Sequence, residues 1–222
     1  MTQQLDTPNF FVFDGLDGAG KSTQIVRFQQ WLEAQGHEVT LCRDPGTTQL
    51  GERLREILLH SFETPISMRA EMFLYMAARA QLVEEIIRPA LAAGQTVISD
   101  RFLLANVVYQ GHAGGLPVET LWQVGEVATG GLQPTLTFVL DVAAEVAASR
   151  RQGDPDRLEQ RGLDYFNKVR GGFLAEADRA AELQQTRIAR IDASVTPDEV
   201  AAQIQAAAKA CLGVGNVERG RS

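Results

Sequence analysis

The run Gly15-Leu16-Asp17-Gly18-Ala19-Gly20-Lys21-Ser22 has the spacing G-x-x-x-x-G-K-[ST], which is the chemistry of a phosphate cradle. Glycines let a backbone curl until its N–H groups converge on an anion. Lys21 then adds a positive charge at the terminal phosphates, and the Ser22 hydroxyl is suited to Mg²⁺. Gly15, Leu16, Asp17, Gly18, Ala19, Gly20, Lys21 and Ser22, with Thr23 just inside the following helix, are therefore the expected ATP-binding residues. A second charged corner is Asp100-Arg101, an acid and a base closing the expected strand Val97-Ile98-Ser99. A carboxylate there can orient Mg²⁺ or its waters, so Asp100 joins Ser22 as a metal-site candidate, while the planar fork of Arg101 matches a phosphate. Arg43-Asp44-Pro45-Gly46-Thr47 puts another cation on a rigid turn, with Arg55 following one helix later. Tyr75 and Arg79, four apart on a helical stretch, set an aromatic plane beside a guanidinium, a pairing able to hold a base.

Those residues need a scaffold that brings them to one edge. β-Branched and apolar runs recur at Phe10–Asp14, Glu38–Arg43, Thr96–Asp100, Thr135–Asp141 and Arg187–Ile191, separated by segments of helical period. Such alternation predicts an α/β fold, a parallel sheet of roughly five strands with helices on both faces, whose ligands bind at the carboxyl ends of the strands. The cradle sits correctly for this. Phe10-Phe11-Val12-Phe13 precedes it, and an amphipathic helix over Thr23–Gln35 follows, with Ile25, Phe28 and Leu32 on one face and Gly36 as its cap. The longest helical stretch, Ser67–Ala93, is apolar nearly all round, which singles out its polar members. The last helix opens on Thr196-Pro197-Asp198-Glu199, a capping box with proline in the first turn.

Composition narrows the class. The 222 residues suit one domain over residues 1–212, with a short glycine-containing polar tail at 213–222 expected to be disordered. The net charge of −7 argues against a broad nucleic-acid or anionic-membrane surface, and no apolar run approaches a membrane span. Cys42 and Cys211 read as buried, reduced thiols, and a polar amino terminus with no signal core points to a cytoplasmic protein. His37, His60 and His112 have no metal-ligand spacing, so Mg²⁺ arriving with a nucleotide is the one metal expected. Ser149 through Arg157, with Arg150, Arg151, Gly153, Pro155 and Arg157, has the charged, turn-forming composition of a loop that covers phosphates, a lid at about 149–160.

The set Asp14–Ser22, Arg43-Asp44-Pro45-Gly46, Tyr75-Met76-Ala77-Ala78-Arg79, Asp100-Arg101-Phe102, Asn106, Tyr109-Gln110-Gly111 and Asp156-Arg157, in that order, resembles the nucleoside monophosphate kinases and among them the bacterial thymidylate kinases, from Phe10 to about Leu212. The resemblance implies the P-loop monophosphate kinase fold, ATP and dTMP as substrates, Mg²⁺ as cofactor, and a homodimer; apolar faces around Met72, Leu82 and Trp122 serve either that interface or the core. It implies that Tyr75 stacks on thymine and that Arg79, a donor without acceptors, bonds the base carbonyl and repels the amino group of cytosine. Asn106 would complete the base edge, Tyr109 beside Gln110 would close the sugar pocket against a ribose 2′-hydroxyl, and Asp17 would contact the acceptor near its sugar and phosphate, with Arg43 and Arg101 at the phosphate. Gly18 and Ala19 bring no charge into the loop, so the catalytic arginine is implied to come from the lid, from Arg150, Arg151 or Arg157. The chain departs from the family pattern at Asp14 and Asp44, where Glu is usual, at Thr47, where Gly is common, at Tyr75 in place of Phe, and at Phe102 in place of Tyr. Rival readings are another monophosphate or deoxynucleoside kinase, and a nucleotide-binding regulator without transfer activity.

Overall fold

The computed structural model describes residues 9–60, 65–151, 157–183 and 188–218. Five strands, β1 (Phe10–Gly15), β2 (Val39–Arg43), β3 (Thr96–Asp100), β4 (Leu136–Asp141) and β5 (Ile188–Asp192), form one sheet in the order β2-β3-β1-β4-β5. Every pairing is parallel. β1 lies in the middle and is buried along its whole length, which is why it reads as a continuous apolar run rather than an alternating one. Its side chains still alternate between faces. Phe11 and Phe13 enter a cluster with Phe28, Phe138 and Ile204, whereas Phe10 and Val12 enter another with Met72, Leu82 and Val107.

The first face is covered by α1 (Lys21–Glu33), α8 (Leu163–Leu183) and α9 (Pro197–Glu218), and the second by α3 (Met68–Leu82), α5 (Leu103–Asn106) and α6 (Val118–Thr129). The remaining helices are α2 (Gln49–His60), α4 (Arg88–Ala92) and α7 (Ala144–Arg150). Met72 and Leu82 belong to the core, and Trp122 packs partly buried against it. Cys42 and Cys211 are buried and unbridged. Among the described residues no helix is long and apolar enough to cross a membrane.

Three boundaries differ from the sequence reading. The stretch expected as one helix over Ser67–Ala93 is α3, a π-helical turn at Val83–Ile87, and α4. Pro89 is the physical reason, since it has no N–H for the carbonyl four residues back and its ring crowds that oxygen, and a widened turn accommodates both. α1 begins two residues earlier than expected, directly on Lys21, and α9 runs to Glu218, past the point at 213 where the tail was placed. Elsewhere the caps follow local chemistry: Ser67 Oγ accepts from Ala70 N–H, and Thr196 and Glu199 each bond the other's backbone N–H at the start of α9.

Parallel pairing fixes the functional edge. The strands end together on Arg43, Asp100, Gly15, Asp141 and Asp192, with Arg43 level with Asp100 and Phe13 level with Asp100 on the other side. The loop after β1 and the turns after β2 and β3 therefore open onto one rim.

Candidate active site

At this rim the cradle loop passes from β1 into α1. Gly15 and Gly18 adopt positive φ, and a Cβ at either would lie 2.5 Å from Leu140 O or 2.1 Å from Ala147 O, so backbone packs against backbone where no side chain fits. α1 starts without a side-chain cap and without an acidic residue in its first turn. Its N–H groups and dipole are thus left to an anion. Lys21, buried at the head of this helix, donates to Leu16 O at 3.0 Å, Gly15 O at 3.4 Å and Asp17 Oδ1 at 3.2 Å.

Arg101 carries the corner after β3. Its backbone sits at φ 69°, a left-handed conformation costly for a residue with a Cβ. Its guanidinium donates to Gly15 O (3.0 Å), Asp17 Oδ1 (2.7 Å) and the Tyr109 hydroxyl (3.3 Å), so it ties the cradle to the acceptor side. Although burial works against its charge, Asp17, Tyr109, Asp14 and Asp100 hold Arg101 protonated. Against the upward push of burial, Arg101 and Lys21 in turn keep the Asp17 carboxyl well below the usual carboxylate range. Asp14 behaves oppositely. Burial outweighs Arg101 and Lys21 and pushes its carboxyl up to about 7, and neither of its oxygens has a hydrogen-bond partner among the described residues.

Asp14 Oδ1 and Oδ2 and Asp100 Oδ1 are thus buried carboxylate oxygens without a donor, beside the loop that ends in Ser22. Such oxygens suit a hard divalent cation, so this corner fits Mg²⁺ through Ser22, Asp100 and also Asp14.

Next to it lies a cavity of about 100 Å³ lined by Asp17, Asp44, Tyr75, Arg79, Arg101 and Asn106, together with Pro45, Arg55, Leu59, Ala105, Tyr109, Gln110 and Leu158. Its floor is a buried polar network. Arg79, 1% exposed, donates to Asp44 Oδ2 (2.6 Å), Asn106 Oδ1 (2.9 Å), Phe102 O (3.2 Å) and Met76 Sδ (3.2 Å), and its guanidinium lies 5.6 Å from the Phe102 ring centre. Burial raises the Asp44 pKa, and the facing Arg79 opposes it. Asn106 continues the network to Gln110, and Gln110 to Glu71 Oε1 at 2.7 Å. Tyr109 and Gln110 stand on a second π-helical turn, Val107–His112, whose irregular pitch turns both inward. A larger cavity of about 300 Å³ is lined by Leu132, Pro134, Thr137, Trp122 and Ile188 among others, and by none of the residues expected to bind phosphate. We therefore assign the chemistry to the smaller one.

A model of the thymidylate kinase family matches residues 13–204 of this chain. The chain belongs to the thymidylate kinase family. It is similar to the thymidylate kinase of Rhodopirellula baltica, at 49% identity over 193 residues that cover 87% of this chain and 77% of that protein. It is also similar to the thymidylate kinases of Symbiobacterium thermophilum (44% identity, 88% and 90% covered) and Kosmotoga olearia (40%, 91% and 96%). Membership makes the chain an enzyme, a nucleotide-binding kinase.

Against the site expected of this family, the rim gathers Asp17, Tyr75, Arg79, Arg101, Asn106, Tyr109 and Gln110 around one cavity. Arg43 stands apart: it is exposed and its guanidinium is engaged by both oxygens of Glu52 at 2.9 and 3.1 Å. Arg55 is the cation of this turn that lines the cavity, tethered to Pro45 O at 3.1 Å, and burial together with neighbouring Arg43 lowers its pKa. Arg150 donates to Ala193 O (3.1 Å), and Arg151 sits 4.8 Å from the Phe166 ring centre. Arg157 is docked on α2 and α3 through Leu58 O and Glu71. Residues 152–156, the middle of the expected lid, lie outside the described residues. Sequence reasoning missed Glu71, Arg161 and Leu158. A signal for the first existed, since Glu71, Tyr75 and Arg79 recur every four residues along one face of α3.

Proposed function

We propose that the protein transfers the terminal phosphoryl group of ATP to dTMP, giving ADP and dTDP, with Mg²⁺ as cofactor. The observation that carries this reading is the abutment of two cationic sites on one rim, the cradle with Lys21 and the cavity with Arg79, joined by Arg101, which bonds Gly15 O and lines the cavity. ATP phosphates would lie in the cradle against the α1 N-terminus. dTMP would enter the cavity with its base beside Tyr75, Arg79 and Asn106, its sugar against Tyr109 and Asp17, and its phosphate toward Arg101 and Arg55.

Chemistry asks little of a general base here. The acceptor phosphate has a second pKa near 6 and is largely dianionic at neutral pH. The barrier lies in bringing two anions into line, which positioned cations lower. Lys21 and Arg101 supply fixed charge, and one of Arg150, Arg151 and Arg157 would neutralise the transferring group. Mg²⁺, held by Ser22 and Asp100 with Asp14 beside them, would screen the polyphosphate oxygens. Base selectivity follows from donors: Arg79 offers hydrogens to the O4 of thymine, whereas cytosine presents an amino group there and leaves a buried donor unpaired.

We also assign a cytoplasmic location and a homodimer. Phe73 and Ile57 leave apolar surface exposed on α3 and α2, which suits pairing with a second copy and is checked by mass from light scattering. An ADP-release assay with ATP against dTMP, dUMP, dCMP, UMP and thymidine tests the activity. dTMP is expected to have the highest kcat/KM; better turnover of thymidine, dCMP or UMP would overturn the assignment.

A further inference from the structure

Glu71 is fully buried in the first turns of α3, yet it touches three side chains from two distant parts of the chain. Its Oε1 accepts from Gln110 Nε2 at 2.7 Å. Its Oε2 accepts from Nη2 of both Arg157 and Arg161, the latter at 2.7 Å. The first contact belongs to the acceptor cavity, and the other two to the segment just after residue 156. No other described carboxylate is shared in this way between the cavity network and that segment.

The bonds have one allowed direction. Arg79 can only donate, so Asn106 must offer it Oδ1, which leaves the Asn106 NH₂ to face Gln110 Oε1 and the Gln110 NH₂ to face Glu71. An ionised carboxylate, an acceptor at every lone pair, is the group that terminates such a chain and still accepts from two arginines.

What the arginines hold is a wall of the cavity. Arg157 donates its backbone N–H to Leu59 O (3.1 Å) and its Nε–H to Leu58 O (2.7 Å), at the end of α2. Leu158, next in the chain, is buried against Leu58 and Leu59 with Leu74 and Tyr75 beside them, and lines the cavity next to Tyr75. Arg161 adds a bond to the Tyr165 hydroxyl (2.7 Å), and Tyr165 donates to Tyr109 O (2.7 Å), closing the circuit on the sugar side.

We infer that Glu71 is a positioning residue for the acceptor nucleotide: by anchoring Arg157 and Arg161 it seats Leu158 as the wall opposite the base-reading amides Asn106 and Gln110. This rests on the cavity being the dTMP site. It also assigns Arg157 to the wall of the pocket and leaves Arg150 and Arg151 as the arginines for the transferring phosphoryl group.

Steady-state kinetics of Glu71→Gln test it. The amide keeps the shape and the bond from Gln110 but turns an NH₂ toward two arginines. KM for dTMP should rise about 10-fold or more and kcat fall, as misplacement of a substrate-positioning wall does, while KM for ATP is unchanged. Trypsin cleavage after Arg157 and Arg161 should be slowed by saturating dTMP in the parent protein and insensitive to it in the variant. A merely structural role would lower the folded, active fraction with both KM values intact, and that result overturns the inference. If Glu71→Gln does not fold, Arg161→Gln decides: its side chain is partly exposed, and a KM for dTMP raised about 3-fold supports the wall whereas an unchanged one refutes it. Failure of the parent protein to phosphorylate dTMP would instead sink the proposed function.

Discussion

The two halves of the rim solve opposite electrostatic problems. In the acceptor half the charged groups meet: Arg79 has four bonds, Glu71 three, and the amides between them are orientated at both ends. In the donor half the pairing is less complete: Lys21 and Arg101 share Asp17, but Asp14 keeps both buried oxygens and Asp100 one without a donor, against only Asp44 Oδ1 in the acceptor half, and Arg101 holds a left-handed backbone. A satisfied network is rigid and discriminates by shape and donor pattern. An unsatisfied one stores free energy that a polyanion and a divalent cation release on binding. Selectivity should therefore reside in the acceptor half, and the drive for transfer in the donor half.

The largest effect expected is in the acceptor half. Arg79→Met leaves Asp44 buried without its cation and donor, and should lower unfolding free energy by about 3–5 kcal/mol in urea titration. Adding Asp44→Leu should return most of that stability without returning dTMP binding, which separates the structural from the recognition role of the pair. In the donor half, Lys21→Ala should leave stability nearly intact and cut kcat by about 10²- to 10³-fold in the ADP-release assay. Were Lys21→Ala to unfold the protein and Arg79→Met to spare it, the contrast between the halves would be reversed.

Asp14 gives the smaller effect and the one with a pH signature. Its carboxyl titrates near 3.8 when unfolded and near 7 in the fold, so between these values the unfolded chain loses a proton that the native state keeps. Stability from this group falls as pH rises through that window and the loss is complete above about 7. Asp14→Asn should thus raise stability at pH 8 by at most about 4 kcal/mol, have little effect at pH 4, and reduce turnover. A Tm difference independent of pH would contradict the assignment of Asp14 as a buried carboxylate without a donor.

Much of the scaffold was legible in the chain. β1 announces itself by four apolar residues before a glycine loop, and Thr196-Pro197-Asp198-Glu199 marks the start of α9 by local bonds alone. What one element holds, spacing reports. Tyr75 and Arg79 share a face because a helix repeats that way, whatever packs on them. Contacts between elements are a different matter. Spacing gives no reason for Arg43 to pair with Glu52 while Arg55 turns to the cavity, since that depends on how α2 lies against the Pro45 turn. Nor does it join Glu71 to Arg161, because that bond forms only once α3 and the turn before α8 are brought together by the core. The π-turn at Val83–Ile87 has a marker in the chain, Pro89, and the one at Val107–His112 has none.

The central claim is that two nucleotides lie tail to tail across Arg101, one in the cradle and one in the cavity. Calorimetric titration with a single molecule joining adenosine to thymidine through a polyphosphate chain tests it most directly. One equivalent should bind, more tightly than ATP or dTMP alone by about 10²-fold or more, and should be displaced by either nucleotide. Binding no tighter than ATP, displaced by ATP but indifferent to dTMP, would show that the cavity beside Arg79 is not the second site.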